Sequence, residues 1–128
     1  MAKVGLLVDT DVFIDYFNLG RFASILGESS RFAIYYTAVT RKELLAGRGL
    51  GSREKEAILR VLARHRLIRI DQRIAARYWS LRNAYRNLPK EDALIAAAAL
   101  VMRLPLLTRN WRHYSRVREL VLFTGDRK

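Results

Sequence analysis

Val4-Gly5-Leu6-Leu7-Val8-Asp9-Thr10-Asp11-Val12-Phe13-Ile14-Asp15-Tyr16-Phe17 is the stretch whose reading decides the fold. Val4 to Val8 is a short apolar run of the kind that forms a buried parallel strand. It stops at Asp9, and Asp11 to Phe17 then reads as a helix that Thr10 or Asp11 can cap. A buried strand that hands over to a helix through an acidic turn is the opening of an α/β unit.

The same alternation runs down the chain. Arg21 to Glu28 reads as a second short helix, with Phe22, Ile25 and Leu26 on one face. Phe32 to Tyr36 is rich in strand formers, and Thr37 to Ala46 is a helix stopped by Gly47. Residues 47–51 form a glycine-rich connection. It lacks the preceding strand of a phosphate-binding loop and so reads as a plain loop. A helix capped by Ser52 runs to His65, and a short strand covers Leu67 to Ile70. Asp71 to Arg86 is an amphipathic helix with Ile74, Tyr78, Leu81 and Tyr85 on one face, suited to core or dimer contacts more than to base stacking. Pro89 opens a helix to Arg103 whose Ala93–Met102 stretch is apolar all round and must be buried on most sides. Leu106 to Thr108 is a strand, Trp111 to Ser115 a short helix and Leu120 to Phe123 a final strand. This order predicts one domain over residues 1–128: a three-layer α/β/α sandwich around a central, mainly parallel sheet.

Composition narrows the chemistry. The 128 residues contain no cysteine, which excludes disulfides, thiolate metal sites and a cysteine nucleophile. The apolar runs are too short for a signal-peptide core or a membrane span, so the expectation is a soluble cytoplasmic protein. Lys and Arg number 24 against 12 Asp and Glu, a net charge of +12. Lysine occurs only at 3, 42, 55, 90 and 128, so the rest of the positive charge is arginine, which pairs bidentately with phosphate. Such a field attracts polyanions; the alternative is a solvated basic surface with no specific partner.

Acids are scarce and clustered: Asp9, Asp11 and Asp15 near the start, Glu91 and Asp92 side by side later. Asp9 ends the first strand, Glu43 lies on the helix after the second, Asp92 opens the buried helix and Asn110 follows the strand ending at Thr108. Functional groups in parallel sheets gather at the strand carboxyl ends, so these four can meet there. Converging carboxylates repel one another, and a divalent cation removes that conflict. Mg²⁺ suits them, because it takes hard oxygen ligands, keeps several waters and accepts substrate phosphate. Each residue also has a simpler reading. Asp9 or Asp11 could only cap a helix, as could Asn110, and Asp92 could favour the positive helix end. Glu43 could be a solvated helix residue, and Asp15 reads as a solvated, capping-turn or supporting acid. His65 and His113 read as structural or surface histidines.

Taken in order, four segments resemble the PIN-domain family, and most closely its VapC-type toxin nucleases. They are Leu6 to Asp15, the glutamate helix Thr37 to Gly47, the aspartate-opened helix Glu91 to Leu100 and the closing Pro105 to Tyr114. The resemblance implies a Mg²⁺-dependent endoribonuclease, with Mn²⁺ as a substitute. Asp9, Glu43 and Asp92 would be its metal ligands, and Asn110 its fourth position, where many relatives carry aspartate. Thr10, Asp11 and Thr108 would support the ligands, and Arg41, Lys42, Arg109 and Arg112 would contact RNA. The implied partners are RNA, a second copy of the chain and an antitoxin that blocks the site. The face of Phe22, Ile25 and Leu26 would be its groove, unless those residues simply pack in the core.

Haloacid-dehalogenase-like phosphatases also open with Asp-x-Asp after a strand. They require Thr or Val where this chain has Phe13, and a late acidic pair where it offers Asn110. A phospho-receiver domain would need a lysine where Thr108 and Arg109 stand. A basic RNA-binding domain with inactive carboxylates is the non-enzyme alternative, and Asn110 is the feature that favours it. An RNA-processing nuclease of the same fold that is not a toxin is the third alternative.

Overall fold

A computed structural model describes residues 3–124. Four strands form one all-parallel sheet: β1 (Val4–Val8), β2 (Phe32–Thr37), β3 (Arg66–Ile68) and β4 (Leu106–Leu107), in the order β3-β2-β1-β4. Around it lie α1 (Thr10–Leu19), α2 (Ala23–Leu26), α3 (Ala38–Leu45), α4 (Ser52–Ala63), α5 (Gln72–Ala84), α6 (Lys90–Met102) and α7 (Trp111–Tyr114).

Strand alternation divides the interior into two cores. Leu6 and Val8 of β1 pack with Val12 and Phe13 of α1, Ile25 and Leu26 of α2, and Ile58 and Leu62 of α4. Leu7 and Leu106 face the other way, onto Ile74 and Leu81 of α5, the alanines of α6, and Tyr114. Helices therefore cover both faces of the sheet, giving the three-layer sandwich. Ala93, Ala96, Ala97, Ala98 and Ala99 are all buried, so α6 presents small side chains in several directions and lies close to its neighbours. We predict that Ala97→Leu, which adds bulk to a filled site, destabilises the protein by about 1–3 kcal/mol. Urea unfolding of wild type and variant checks it.

Several boundaries differ from the sequence expectation. The first helix begins at Thr10, and its cap is Asp9, whose side chain accepts the Thr10 N–H. Neither Thr10 nor Asp11 is the cap. The helix ends at Gly20, which adopts the left-handed conformation at φ 70°. The second helix is a single turn, Ala23–Leu26. Ile25 and Leu26 are fully buried in the core and only Phe22 is partly so, so the three do not form one open face. Gly51, not Ser52, caps α4, and the Glu54 carboxylate accepts the Gly51 N–H. β3 covers Arg66–Ile68 because Asp71 already caps α5 by accepting the Ile74 N–H. The final strand reduces to one parallel bridge, Leu106 to Leu122.

The chain order fixes where a site can form. From β1 the sheet grows one way through β2 to β3, while β4 pairs on the other side of β1. The carboxyl ends of β1 and β4 therefore flank a topological switch point, the crevice where parallel α/β sheets carry their ligands.

Candidate active site

Asp9 leaves β1 at this crevice, and the pairing of Val8 with Leu107 sets it beside Thr108. Its N–H donates to Leu107 O at 2.9 Å. Its Oδ1 accepts the Thr10 N–H at 2.8 Å, and its Oδ2 accepts the Thr108 hydroxyl at 2.8 Å. Thr108 Oγ1 in turn accepts the Asn110 N–H at 3.0 Å. Both carboxylate oxygens are thus aimed, one by the first residue of α1 and the other by the residue that follows β4.

Glu43 is held by a second relay. Thr37 caps α3, accepting the Thr40 N–H. Thr40 and Thr10 hydroxyls lie 2.8 Å apart, and Thr10 Oγ1 donates to Glu43 Oε1 at 2.7 Å. Because that proton is committed to Glu43, Thr40 must donate to Thr10. The buried hydroxyls bind α1 to α3 and turn an otherwise exposed glutamate toward Asp9's turn.

Asp92, in the first turn of α6, is gripped from α7. His113 Nδ1 lies 2.8 Å from Asp92 Oδ2, and the Tyr114 hydroxyl donates to Oδ1 at 3.3 Å. Asn110 Nδ2 sits 2.7 Å from His113 Nδ1 and 3.5 Å from Asp92 Oδ2. Asn110 begins α7, but its side chain makes no cap bond. His113 was read as a structural or surface residue; here it touches a site carboxylate. The Asn110-x-x-His113 spacing on one turn was the available signal.

Asp11 accepts the Arg109 N–H through both oxygens, at 3.3 and 3.2 Å. Asp15 is buried, so of its solvated, capping-turn and supporting readings the solvated one falls, and it pairs with Arg109 at 3.0 Å and Arg21 at 3.6 Å. Arg41 and Lys42 are exposed and, with Arg69, line a groove of about 660 Å³ at the carboxyl end of β3. Lys42 also borders a cleft shared with Glu43 and Glu91. Arg112 is exposed on α7. His65 is half-buried away from this cluster, beside Phe13, and burial lowers its pKa.

The carboxylates feel one another. Asp9 is only 6% exposed. Burial first, then the charges of Asp11 and Asp92, push its pKa from 3.8 to about 7, against the opposing hydrogen bonds from Thr108 and Thr10. Burial also raises Asp11, opposed by Arg109. Tyr114 is driven far above its ordinary value by burial and the surrounding acids, so its phenol stays a neutral donor.

Among the described residues, no three His, Cys, Asp or Glu side chains form a ready-made metal cage. The donor chemistry nevertheless fits Mg²⁺, which binds through one or two carboxylates and keeps its waters. A buried acid whose neighbours resist its ionisation is the local signature that a dication relieves. Losing the hydroxyl that aims Asp9 weakens such a site for a cation. We predict that Thr108→Val, nearly equal in volume, lowers Mg²⁺ affinity by about 10- to 100-fold. Calorimetric titration with Mg²⁺, with a thermal melt to verify folding, is the check.

A family model described as PIN domain matches residues 6–120. Ribonuclease VapC1 of Methanocaldococcus jannaschii is 29% identical over 130 residues, covering 95% of this chain and 88% of that protein. Ribonuclease VapC19 of Mycobacterium tuberculosis is 33% identical over 124 residues, covering 84% and 90%. The structure of a toxin–antitoxin complex from Klebsiella pneumoniae superposes with a TM-score of 0.77 at 30% identity, covering 91% of this chain and 95% of that one.

Proposed function

The chain belongs to the PIN-domain family, and from that premise we propose that it is a divalent-metal-dependent endoribonuclease, the toxin of a toxin–antitoxin pair. The observation that carries this reading is that Asp92 lies near enough to the buried Asp9 to bear on its charge, with Glu43 tied to Asp9's turn through Thr10, at the switch point of a strongly basic protein. Relatives named as VapC ribonucleases point the same way.

Asp9, Glu43 and Asp92 would hold Mg²⁺ or Mn²⁺, with Asn110 as a neutral oxygen donor or a water-positioning amide. When bound, the cation supplies Lewis-acid stabilisation of the phosphodiester and lowers the pKa of a coordinated water. The chain's own groups set the geometry. Thr108 and the Thr10 N–H fix Asp9, the Thr10 hydroxyl fixes Glu43, and His113 with Tyr114 fixes Asp92. Asn110 in place of an acid lowers the negative charge facing the substrate. Arg41, Lys42, Arg109 and Arg112 would meet RNA phosphates, an interaction that weakens with salt.

The antitoxin would seat in the apolar cleft of about 390 Å³ lined by Ile14, Phe17, Leu44, Leu50 and Ile58, which reaches Glu43. This replaces the Phe22–Ile25–Leu26 face. A homodimer goes with the same reading, and Tyr78 and the 63%-exposed Trp79 on α5 offer an aromatic face to a second copy. No helix among the described residues is long and apolar enough to cross a membrane.

Induced expression in a bacterial host tests the toxin role. Growth should stop, and co-expression of a cognate antitoxin should restore it. Normal growth despite metal-dependent cleavage by the purified protein would favour an RNA-processing nuclease instead.

A further inference from the structure

A second concavity, of about 450 Å³, opens beside the carboxylates and shares Thr108 with them. Its walls are Phe22, Trp111, Phe123, Arg21 and Arg109. Three aromatic rings and two guanidinium groups around one hollow are unusual beside a carboxylate cluster. We infer that this hollow is a nucleobase subsite, which takes one unpaired base flanking the scissile phosphate of a single-stranded RNA. The inference rests on the ribonuclease reading and adds to it a site for the substrate's base.

The walls are built to hold their positions. Phe22 has a left-handed backbone at φ 63°, a costly state for a bulky residue that persists when the surroundings require it. Phe123 is braced edge-on against Phe32, at 5.4 Å between ring centroids, and its N–H donates to Leu106 O at 2.8 Å. Arg109 and Arg21 are anchored by the buried Asp15, yet both side chains stay at least half exposed. This gives Asp15 a purpose that the carboxylate cluster does not use. Aromatic faces stack on bases and guanidinium groups pair with the adjoining phosphates, which is how single-stranded RNA is recognised. The two arginines favour a nucleotide over an apolar peptide. The path from the subsite to Asp9 is one residue long, because Thr108 lines the hollow and donates to Asp9 Oδ2.

The test uses fluorescence anisotropy of labelled single-stranded RNA in chelator, so that binding is read without cleavage. An abasic nucleotide is walked through an oligonucleotide carrying the mapped cleavage sequence, or, if cleavage proves absent, through the tightest-binding sequence selected from a random single-stranded RNA pool, so that the register is fixed. One position should weaken binding by about 5- to 150-fold, the loss expected for one stacked base. Trp111→Ala should bind intact and abasic RNA alike, and Trp111→Phe should restore the difference. A uniform abasic profile on wild-type protein overturns the inference without any variant. A position-specific loss that persists unchanged in a folded Trp111→Ala also overturns it. So does a Trp111→Ala protein that binds RNA normally but no longer binds its antitoxin, which would give the hollow to a peptide. Absence of Mg²⁺-dependent cleavage would overturn the ribonuclease reading separately, and the abasic profile in chelator would still decide the subsite.

Discussion

Asp92→Asn is expected to reduce RNA cleavage by more than about 100-fold while leaving the fold intact. Loss of a supporting partner around a metal ligand typically costs about 10- to 100-fold, and this substitution removes the charge of a proposed ligand itself. The carboxamide has nearly the volume of the carboxylate, and its oxygen can still accept from Tyr114 or His113. The charge lost from the first turn of α6 should cost no more than about 1 kcal/mol. Single-turnover kinetics with a melting curve on the same sample separates the two quantities. Near-wild-type cleavage would remove Asp92 from the machinery.

The second large effect concerns Asp9 and pH. The folded carboxyl holds its proton to about pH 7, whereas its ordinary value is 3.8. Between those values the folded state binds more protons than the unfolded one. This group's favourable contribution is therefore complete below about pH 4 and is lost as pH rises through about 7. The full loss is on the order of 4 kcal/mol in metal-free protein. Asp9→Asn removes the dependence, so in chelator at pH 8 the variant should melt above the wild type. It should also be inactive, a stability gain at the cost of function. A cation competes with the same proton, so Mg²⁺ should raise the wild-type melting temperature more at pH 8 than at pH 5.5. Thermal melts of both proteins from pH 4 to 8, with Mg²⁺ and with chelator, check this. Parallel curves for wild type and variant would show that Asp9 is not suppressed by its neighbours.

The strand–helix alternation and the parallel sheet were legible in the sequence because period and apolar run length report burial directly. The run Val4–Val8 and the alanine-rich α6 needed no further context. Element ends were less legible. Asp9 read either as a candidate ligand or as a helix cap; the cap is observed, and nothing local says whether the same side chain serves both. The strand at Leu120–Phe123 became a single bridge, because an apolar run fixes burial but not the length of its pairing. Among the readings of Asp15 the sequence could not choose, since its partners Arg21 and Arg109 are set by the fold; a basic chain offers many cations, and spacing does not choose among them. His113 was passed over for a related reason. Only the packing of α7 against the start of α6 brings its ring to Asp92. The Thr37–Thr40–Thr10–Glu43 relay likewise depends on the docking of α1 against α3, which no single segment records.

The most direct test of a metal-dependent ribonuclease is end-mapping of total RNA from the native host after incubation with the purified protein. It is run with Mg²⁺, with chelator, and with Asp92→Asn in place of the wild type. Discrete new ends that need Mg²⁺ and vanish in the variant are the predicted result. Identical ends from wild type and Asp92→Asn, or ends unaffected by chelator, would contradict it and leave a basic RNA-binding protein whose carboxylates do no chemistry.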